Sequence, residues 1–341
     1  MPTTKIKSPV FLRRDVRIAG SPAGDFARGS VVASPDVVIA LHSFPVLATR
    51  KILFTALEGC LLDARTGSWA GAQPGIDELE LRAVPWVIFS GLTRAQLDPI
   101  RRKLGHSGPF VSEHGGGLFV PQGYFPVRIE GQERSGNFQM LSLGKPYSEV
   151  AAALEELAEE AGVSVVGVSQ MSLHEIEQNT GLSRREAEQF RLRDFEEPFF
   201  FAGTSDDDAA RFVALARERG FHAQPDEPFW RFSSIADSAE AARRLAKLFR
   251  ASAPKRLQSQ IVAIGAGPDD RAMLSAADRG IMLPPEDVAK NSATPPELAG
   301  AHSFSELIRP HSSKHSRPFE QAEYSGPEGW AGVVLGVLAP R

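Results

Sequence analysis

Cysteine is nearly absent from this chain of 341 residues, because Cys60 is the only one. A single cysteine excludes a disulfide framework and any zinc site built from cysteine pairs. Long apolar runs are absent too, and the run at residues 331–340 is too short to cross a bilayer. The first thirty residues carry several charges and no apolar stretch of the signal-peptide kind. These absences favour a cytoplasmic globular protein that does not act at a membrane.

Neither sign of charge dominates the sequence. Lysine and arginine number 38, aspartate and glutamate number 42, and the net charge is −4. A field this weak gives no reason to expect nucleic acid as a partner. Only nine of the basic residues are lysines, so a reaction that needs a lysine at a given place has few candidates. An apolar fraction of 42% is enough for a sizeable core.

Short apolar runs alternate with helical segments along much of the chain. The runs cover residues 51–56, 84–90, 110–112 and 260–265. Because they are apolar on both faces, they predict an α/β fold with a parallel sheet that is covered on both sides. Residues 129–230 lie between the third and fourth runs and hold strands and helices of their own.

This order predicts three regions. Residues 1–48 form an N-terminal extension rich in proline, glycine and serine. A discontinuous Rossmann-like core covers residues 49–128 and 231–341, and an inserted α/β cap covers residues 129–230. Since ligands of open parallel sheets bind outside the carboxyl ends of the strands, the residues that follow each strand are the candidates for a functional site.

The segments after the strands resemble the motifs of haloacid dehalogenase phosphatases. Residues 54–63 read FTALEGCLLD, where the family's first strand runs into Asp-x-Asp-Gly-Thr. Residues 89–94 (FSGLTR) stand at its second-motif Ser or Thr, and residues 112–116 (SEHGG) resemble its Glu-Asn-Gly turn. Residues 265–270 (GAGPDD) stand at its Gly-Asp-x-x-Asn-Asp. The resemblance implies a Rossmann-like core with an inserted cap, in the Cof-type IIB subfamily.

Further segments narrow the resemblance to mannosyl-3-phosphoglycerate phosphatases. They are residues 171–173, 180–183, 193–199 and 326–330, and the resemblance as a whole covers residues 50–338. It implies a phosphorylated sugar or a sugar acid as ligand. The substrate-binding candidates that it implies are Ser90, Gly91, Arg94, Arg193 and Glu197.

Four positions depart from the residues that the resemblance implies, and at three of them the chemistry that the family needs is missing. The first aspartate of the first motif attacks the phosphoryl group, and here that position is Ala56, whose methyl group cannot attack. The second aspartate is the general acid/base, and here it is Glu58, which is one methylene longer. The third-motif lysine neutralises the phosphate, and here it is Ser238, which carries no charge.

The third missing residue is a metal ligand. The fourth-motif aspartate that binds magnesium is Ala266 here, although Asp269 and Asp270 follow it and suggest a weak cation site. Magnesium prefers hard oxygen ligands, usually one or two carboxylates together with phosphate. The resemblance therefore implies no cofactor, or Mg²⁺ if any activity is retained.

With the nucleophile, the lysine and the metal ligand all missing, the sequence predicts a pseudophosphatase. Catalytic groups that act as a unit lose most of their effect when one is removed. The predicted role is to bind a phosphosugar, a sugar acid or a protein partner. The alternative is an active magnesium-dependent phosphosugar phosphatase with a non-standard site, in which Glu58 activates water. A third reading is an assembly role for the N-terminal extension and the histidine-rich segment after residue 290.

Several candidates have structural alternatives. Ser90 binds phosphate or caps the helix that follows, since serine is a favoured N-cap. Arg193 and Glu197 recognise a sugar or form an ion-paired turn. Acidic residues in loops such as Asp269 are more often solvated than ligating. Without a basic neighbour in sequence, Cys60 is predicted to be a buried structural cysteine.

Overall fold

The computed structural model describes residues 48–285 and 319–339. The predicted extension at residues 1–48, except for strand residue Ala48, and the histidine-rich segment up to residue 318 therefore lie outside the described residues. The strands are β1 (Ala48–Ala56), β2 (Trp86–Phe89), β3 (Phe110–Ser112), β4 (Gly117–Pro121), β5 (Glu133–Ser135), β6 (Phe138–Ser142), β7 (Val165–Gly167), β8 (Glu196–Phe201), β9 (His222–Asp226), β10 (Phe229–Ser233), β11 (Leu257–Gly265), β12 (Arg279–Met282) and β13 (Glu320–Gln321). The helices are α1 (Gln73–Leu81), α2 (Arg94–Lys103), α3 (Tyr147–Ala161), α4 (Leu173–Thr180), α5 (Arg184–Phe190), α6 (Asp206–Glu218), α7 (Ala239–Ala251), α8 (Arg271–Ala276) and α9 (Gly326–Leu338).

The larger sheet has the strand order β13-β12-β11-β1-β2-β3-β4-β6-β5. Strands β13 through β3 in this order run parallel to their neighbours, with β1 between β11 and β2. The side chains of Ile52, Leu53 and Phe54 are all buried, although they alternate between the two faces of β1. Strands that are buried on both faces are apolar at every position, which explains the apolar runs in the sequence. The predicted α/β fold with a parallel sheet core is confirmed.

The antiparallel end of this sheet is formed by β4, β6 and β5. The predicted cap begins at residue 129, but β5 and β6 hydrogen-bond into the larger sheet. At the other end, β10 continues to Ser233 and pairs with β8 and β9. Strand pairing therefore favours boundaries after residue 142 and after residue 233.

The smaller sheet has the order β7-β8-β10-β9 and is antiparallel. It belongs to a segment that we call the small unit, residues 147–233, which also contains α3 to α6. Helices α3 and α6 pack on one face of the sheet, with Leu154 and Phe212 contacting a cluster around Phe199 and Phe232. The N-cap of α5 is Ser183, whose side chain forms a capping box with Glu186.

Helix α9 brings the last described residues back against β1. The Trp330 side chain is fully buried, and its Nε1 donates a 2.8 Å hydrogen bond to Thr55 Oγ1. A Cβ at Gly75 of α1 would lie 2.8 Å from the Trp330 ring, so only glycine permits this close approach. The segment at residues 326–330 thus supports the strand that leads into the first motif. No helix in the described part of the chain is long and apolar enough to span a bilayer.

Candidate functional site

A cavity of about 460 Å³ lies between the carboxyl ends of the parallel strands and the small unit. The motif segments line it from the core side with Glu58, Ser90, Gly91, His114, Ser238, Asp269 and Asp270. The small unit lines it with Thr180, Leu182, Phe190, Arg193, Pro198, Phe229 and Arg231. We call the core side the floor and the small-unit side, together with His114, the wall. The volume is within the range typical of small-molecule sites.

Ala56 is the last residue of β1. Its side chain is buried and lies outside the cavity lining, next to the β2 residue Phe89 with which it pairs in register. The turn that follows passes through Gly59, whose φ of +62° is a left-handed conformation that favours glycine. A Cβ at Gly59 would lie 4.0 Å from the Cβ of Ala266. Strands β1 and β11 pair in parallel with Thr55 opposite Ile264, so the strand end at Ala56 lies beside the strand end that leads into Ala266.

Glu58 is the charged group that this turn presents to the cavity. Its Oε1 accepts a 2.5 Å hydrogen bond from Ser90 Oγ. The side chain is exposed on the cavity side, and partial desolvation by the surrounding protein raises its pKa, against the opposing effects of Ser90 and His114. A carboxyl group with a raised pKa is suited to hold and to donate a proton.

Ser90 points into the cavity and does not cap α2. The N-cap of α2 is Thr93, whose side chain accepts from the backbone N–H of Gln96 in a capping box. The alternative of Ser90 as an N-cap was therefore wrong. Its hydroxyl instead accepts from the Leu92 N–H at 3.0 Å and donates to Glu58.

Ser238 lies at the cavity immediately before α7, where the resemblance places a lysine. Its side chain is buried, and a Cβ at Gly115 would lie 2.9 Å from its Cα. Lys247 lies further along α7 with an exposed side chain and does not line the cavity. Within the described ranges no lysine lines the cavity, so the floor has no ammonium group for a phosphate.

The two aspartates that follow β11 already have partners within the protein. Asp270 Oδ2 accepts from the backbone N–H groups of Ala266 and Gly267, each at 2.8 Å, and burial raises its pKa despite these bonds. Asp269 is largely exposed, and its Oδ1 lies 3.5 Å from Arg231 Nη2. In the part of the chain that the structure describes, no group of three or more His, Cys, Asp or Glu residues is placed to share a metal ion. With methyl groups at positions 56 and 266, this donor set does not fit magnesium bound in the family's manner.

The turn after β3 has an unusual backbone. Glu113 and His114 have φ angles of +46° and +51°, which side chains other than glycine rarely adopt. The Glu113 carboxylate turns toward the small unit and accepts from the N–H groups of Asp194, Phe195 and Glu196 at 2.8–3.2 Å. Burial raises the pKa of Glu113 to about 7, although Arg193 opposes the shift. Strain of this kind is often found at functional sites.

Three basic side chains share one buried carboxylate at the wall. Glu196 Oε1 lies 3.0 Å from His114 Nδ1 and 3.8 Å from Arg231 Nε, and Oε2 lies 3.6 Å from Arg193 Nη1. Burial raises the pKa of Glu196, but the three cations outweigh it and hold that pKa below its ordinary value. Burial lowers the pKa of His114, but Glu196 reverses the effect and raises it, which favours the imidazolium.

The structure does not bring all predicted binding residues to the cavity. Arg94 lies outside the lining, where it donates to Ser135 and stacks over the Phe119 ring at 5.2 Å. Glu197 also lies outside it, and its Oε1 accepts from the Ser169 N–H and hydroxyl. Because side chains alternate along a strand, Glu197 faces the opposite side of β8 from Glu196. Ser90, Gly91 and Arg193 do line the cavity.

The sequence analysis identified Arg193 but missed the other residues of the charged cluster at the wall, which are His114, Glu196 and Arg231. His114 stood within the quoted turn, but no chemistry was inferred from it. Glu196 stood within the quoted segment 193–199 but was given no role, and Arg231 stood outside every quoted segment. The alternation of β8 could have identified Glu196, because Pro198 two residues later lines the cavity on the same face.

Comparisons with known proteins agree with this architecture. A glucosyl-3-phosphoglycerate/mannosyl-3-phosphoglycerate phosphatase of Methanococcoides burtonii is 26% identical over 290 residues, covering 85% of this chain and 97% of that protein. A mannosyl-3-phosphoglycerate phosphatase of Pyrococcus furiosus is 30% identical over 216 residues, covering 62% of this chain and 83% of that protein. No family model matches the chain.

Solved structures share the fold. A Streptococcus mutans protein superposes with a TM-score of 0.52 at 16% identity, covering 86% of this chain and all of that one. A Thermoplasma acidophilum protein gives a TM-score of 0.51 at 16% identity, covering 84% of this chain and 96% of that one.

The sheet order and the cavity at the strand ends define a protein of the haloacid dehalogenase phosphatase fold. Within that class, the chain belongs to the mannosyl-3-phosphoglycerate phosphatase family.

Proposed function

We propose that this chain is a catalytically impaired member of its family, a pseudophosphatase that binds a phosphorylated sugar or a sugar acid in its cavity. The observation that carries the proposal is the buried Ala56 methyl group at the end of β1. A methyl group cannot form the aspartyl phosphate on which the family's mechanism depends. We further propose that the small unit acts as the cap over this cavity.

The charges of the floor support the same proposal. Glu58, Asp269 and Asp270 remain there, while Ser238 and Ala266 supply neither a lysine nor a metal ligand. A phosphoryl group at this place would meet carboxylates without a neutralising cation, which opposes the charge that develops during transfer. Binding therefore does not require Mg²⁺ in this proposal.

A small molecule suits the cavity better than a protein partner does. Its volume of about 460 Å³ is bounded on both sides by the core and the small unit. Polar and charged side chains lie among apolar ones such as Phe190 and Phe229, which is the usual composition of a small-molecule site. A protein partner on another surface remains the alternative role of the fold.

The test is phosphate release from mannosyl-3-phosphoglycerate and a panel of sugar phosphates in the presence of Mg²⁺. Wild type and Glu58→Gln are compared at the same concentration. We expect both to release phosphate at the rate of a protein-free control. Release by wild type that Glu58→Gln abolishes would overturn the proposal.

One observation favours a second candidate, an active phosphosugar phosphatase with a non-standard site. The raised pKa and cavity-facing position of Glu58 are those of a general acid/base. In that case the same pair of proteins would differ in rate, with a pH profile that loses its carboxyl limb in Glu58→Gln. The absence of a nucleophile at Ala56 makes this the less favoured of the two.

A further inference from the structure

The carboxyl group of Glu113 joins the core to the small unit. Glu113 belongs to the core, at the turn after β3, and its side chain is fully buried. It accepts from three consecutive backbone N–H groups of the small unit, those of Asp194, Phe195 and Glu196, at 2.8–3.2 Å. All of these hydrogen bonds are lost if the two parts move apart, so this carboxyl group holds the small unit in place.

The packing around this contact brings the two parts unusually close. The Phe195 side chain lies against three glycines outside the small unit, where a Cβ at Gly116, Gly117 or Gly144 would come within 2.5, 2.6 and 3.3 Å of it. Side chains larger than glycine would push Phe195 away. The turn after β3 and the segment at residues 194–196 therefore fit each other as complementary surfaces.

The chain connections between the two parts are suited to a hinge. The chain enters the small unit through residues 143–146 and leaves it through residues 234–238. These two linkers lie side by side, because the Lys145 N–H donates to Ser234 Oγ at 2.7 Å. Short linkers that lie together at one place are the usual means by which a domain turns over a ligand cavity.

The charges around the contact make it sensitive to protonation. Burial raises the pKa of Glu113 to about 7, with Arg193 opposing the shift and Glu196 adding to it. Burial lowers the pKa of His114, but Glu196 outweighs it and the pKa is raised. The charged groups around Glu113 and His114 are Arg193, Asp194, Glu196, Asp226 and Arg231 of the small unit, Asp237 of the second linker, and Glu58 and Asp270 of the floor.

These shifts give closure a defined pH dependence. When the two parts separate, water reaches Glu113 and its pKa returns toward the ordinary 4.5. Closure therefore takes up a proton, is favoured below pH 7, and is weakened as the pH rises through 7. His114 acts in the same direction, whereas Glu196, whose pKa is lowered, weakens closure as the pH falls below 4.5.

We propose that Glu113 is a proton-controlled latch, which holds the small unit against the core at acidic pH and releases it at alkaline pH. The inference rests on the proposed role of the small unit as a cap and adds a control on access to the cavity. It does not depend on which ligand the cavity binds.

The test measures the distance between the two parts by single-molecule energy transfer in the full chain without ligand. Cys60 is fully buried, so the dyes attach to cysteines introduced by Gln178→Cys in α4 and Lys247→Cys in α7, both exposed helix positions. Between pH 5 and pH 9 the equilibrium constant for closure should fall on the order of 100-fold, which follows from a pKa of about 7 in the closed form and 4.5 in the open form. A distance that does not change over this range would overturn the proposal.

Two variants in the labelled chain assign the change to Glu113. Glu113→Gln resembles the protonated carboxyl group, still accepts from the N–H groups, and should stay near the closed distance at pH 9. Glu113→Ala lacks an acceptor and should show the open distance even at pH 5. A variant Glu113→Gln that opens with pH as much as wild type would overturn the proposal, and this comparison decides the question if Glu113→Ala fails to fold.

Glu58→Gln is the matched control. The pKa of Glu58 is also raised, but its side chain bonds to Ser90 of the core and not to the small unit. It should open with pH as wild type does, and a Glu58→Gln variant that stays closed would overturn the role of Glu113. Because the measurement uses no substrate, phosphate release by wild type would overturn the proposed function and leave the latch standing.

Discussion

The floor of the cavity lacks the reactive side chains that the resemblance implies, whereas the wall carries a network of charged side chains. On the floor, the backbone follows the motif turns, with Gly59 at positive φ and Asp270 holding two backbone N–H groups. The reactive side chains are replaced by Ala56, Ser238 and Ala266. On the wall, His114 and the arginines form a dense ionic network around Glu196.

This difference indicates that the backbone shape of the cavity does not depend on reactive side chains. The turns of the floor are set by the Asp270 carboxylate, which accepts from two backbone N–H groups, and by the packing of Trp330 against β1. Neither contact needs a reactive side chain at position 56, 238 or 266. The network of the wall depends on charge, because three cations must be balanced. A cavity can therefore keep its form while the chemistry of one side is lost and the other side remains charged.

The largest expected effect comes from restoring the floor. The triple variant Ala56→Asp, Ser238→Lys and Ala266→Asp should release phosphate from mannosyl-3-phosphoglycerate with Mg²⁺ at least about 100-fold faster than wild type. Ala56→Asp alone should stay close to wild type, because catalytic groups act as a unit. The matched control carries Ala56→Asn with the other two changes and should be inactive. A triple variant no faster than this control would show that the floor has lost its shape as well.

The second-largest effect is expected when the wall loses its shared carboxylate. Glu196→Gln leaves His114, Arg193 and Arg231 without their shared carboxylate, and removing one partner of a buried ionic group costs about 3 to 5 kcal/mol in the free energy of unfolding. Urea denaturation measures the loss. The control is Glu188→Gln, where an exposed glutamate pairs with Arg184. Equal stability of the two variants would contradict a central role for Glu196.

The free energy of unfolding should depend on pH through the buried carboxyl group of Glu113. Its pKa of about 7 lies above the ordinary 4.5, so its contribution to stability is present below pH 4.5 and lost as the pH rises to about 7. Unfolding experiments across this range should show a loss of up to about 3 kcal/mol from this group. Glu58 and Asp270, whose pKa values are also raised, act in the same direction.

Glu113→Gln should flatten that part of the pH profile while the contributions of Glu58 and Asp270 persist. Glu133→Gln serves as the control, because Glu133 is an exposed residue of the same type. A profile in Glu113→Gln as steep as that of wild type would assign the slope to other groups.

The smallest expected effect on the free energy of unfolding comes from the loop at residues 90–93, between floor and wall. Thr93 caps α2, and its hydroxyl also donates to the Gln189 carbonyl of α5 at 2.9 Å. Thr93→Ala should lower the free energy of unfolding by about 1 kcal/mol. Ser90→Ala, a matched hydroxyl deletion in the same loop, leaves the cap of α2 intact and should cost less. The reverse order would mean that Ser90 holds the loop.

The sequence was sufficient to predict the parallel strands and the floor. Apolar runs identify β1 and β11 because both faces of these strands are buried, and a local signal such as Ser183 with Glu186 marks a helix start. Ala56 and Glu58 follow from one motif that is continuous along the chain, and Ser238 follows from a second short motif. These features depend on short-range sequence, which a pattern can represent.

The wall could not be predicted in the same way. Its residues come from β3–β4, the loop before β8, β8 and β10, and their contacts exist only once the small unit packs on the core. Arg94 was assigned to the cavity because its motif position suggested it, but its side chain points toward β5. Glu197 was preferred to Glu196 because the face of β8 was not considered.

The most direct test of the central claim uses wild type at a concentration equal to that of its substrate. Mannosyl-3-phosphoglycerate and Mg²⁺ are incubated with the protein for hours, and phosphorus NMR follows the ester and inorganic phosphate. The account predicts an unchanged ester signal, since no side chain at position 56 can take the phosphoryl group. Conversion of the ester to inorganic phosphate by wild type, and its loss in Glu58→Gln, would contradict it.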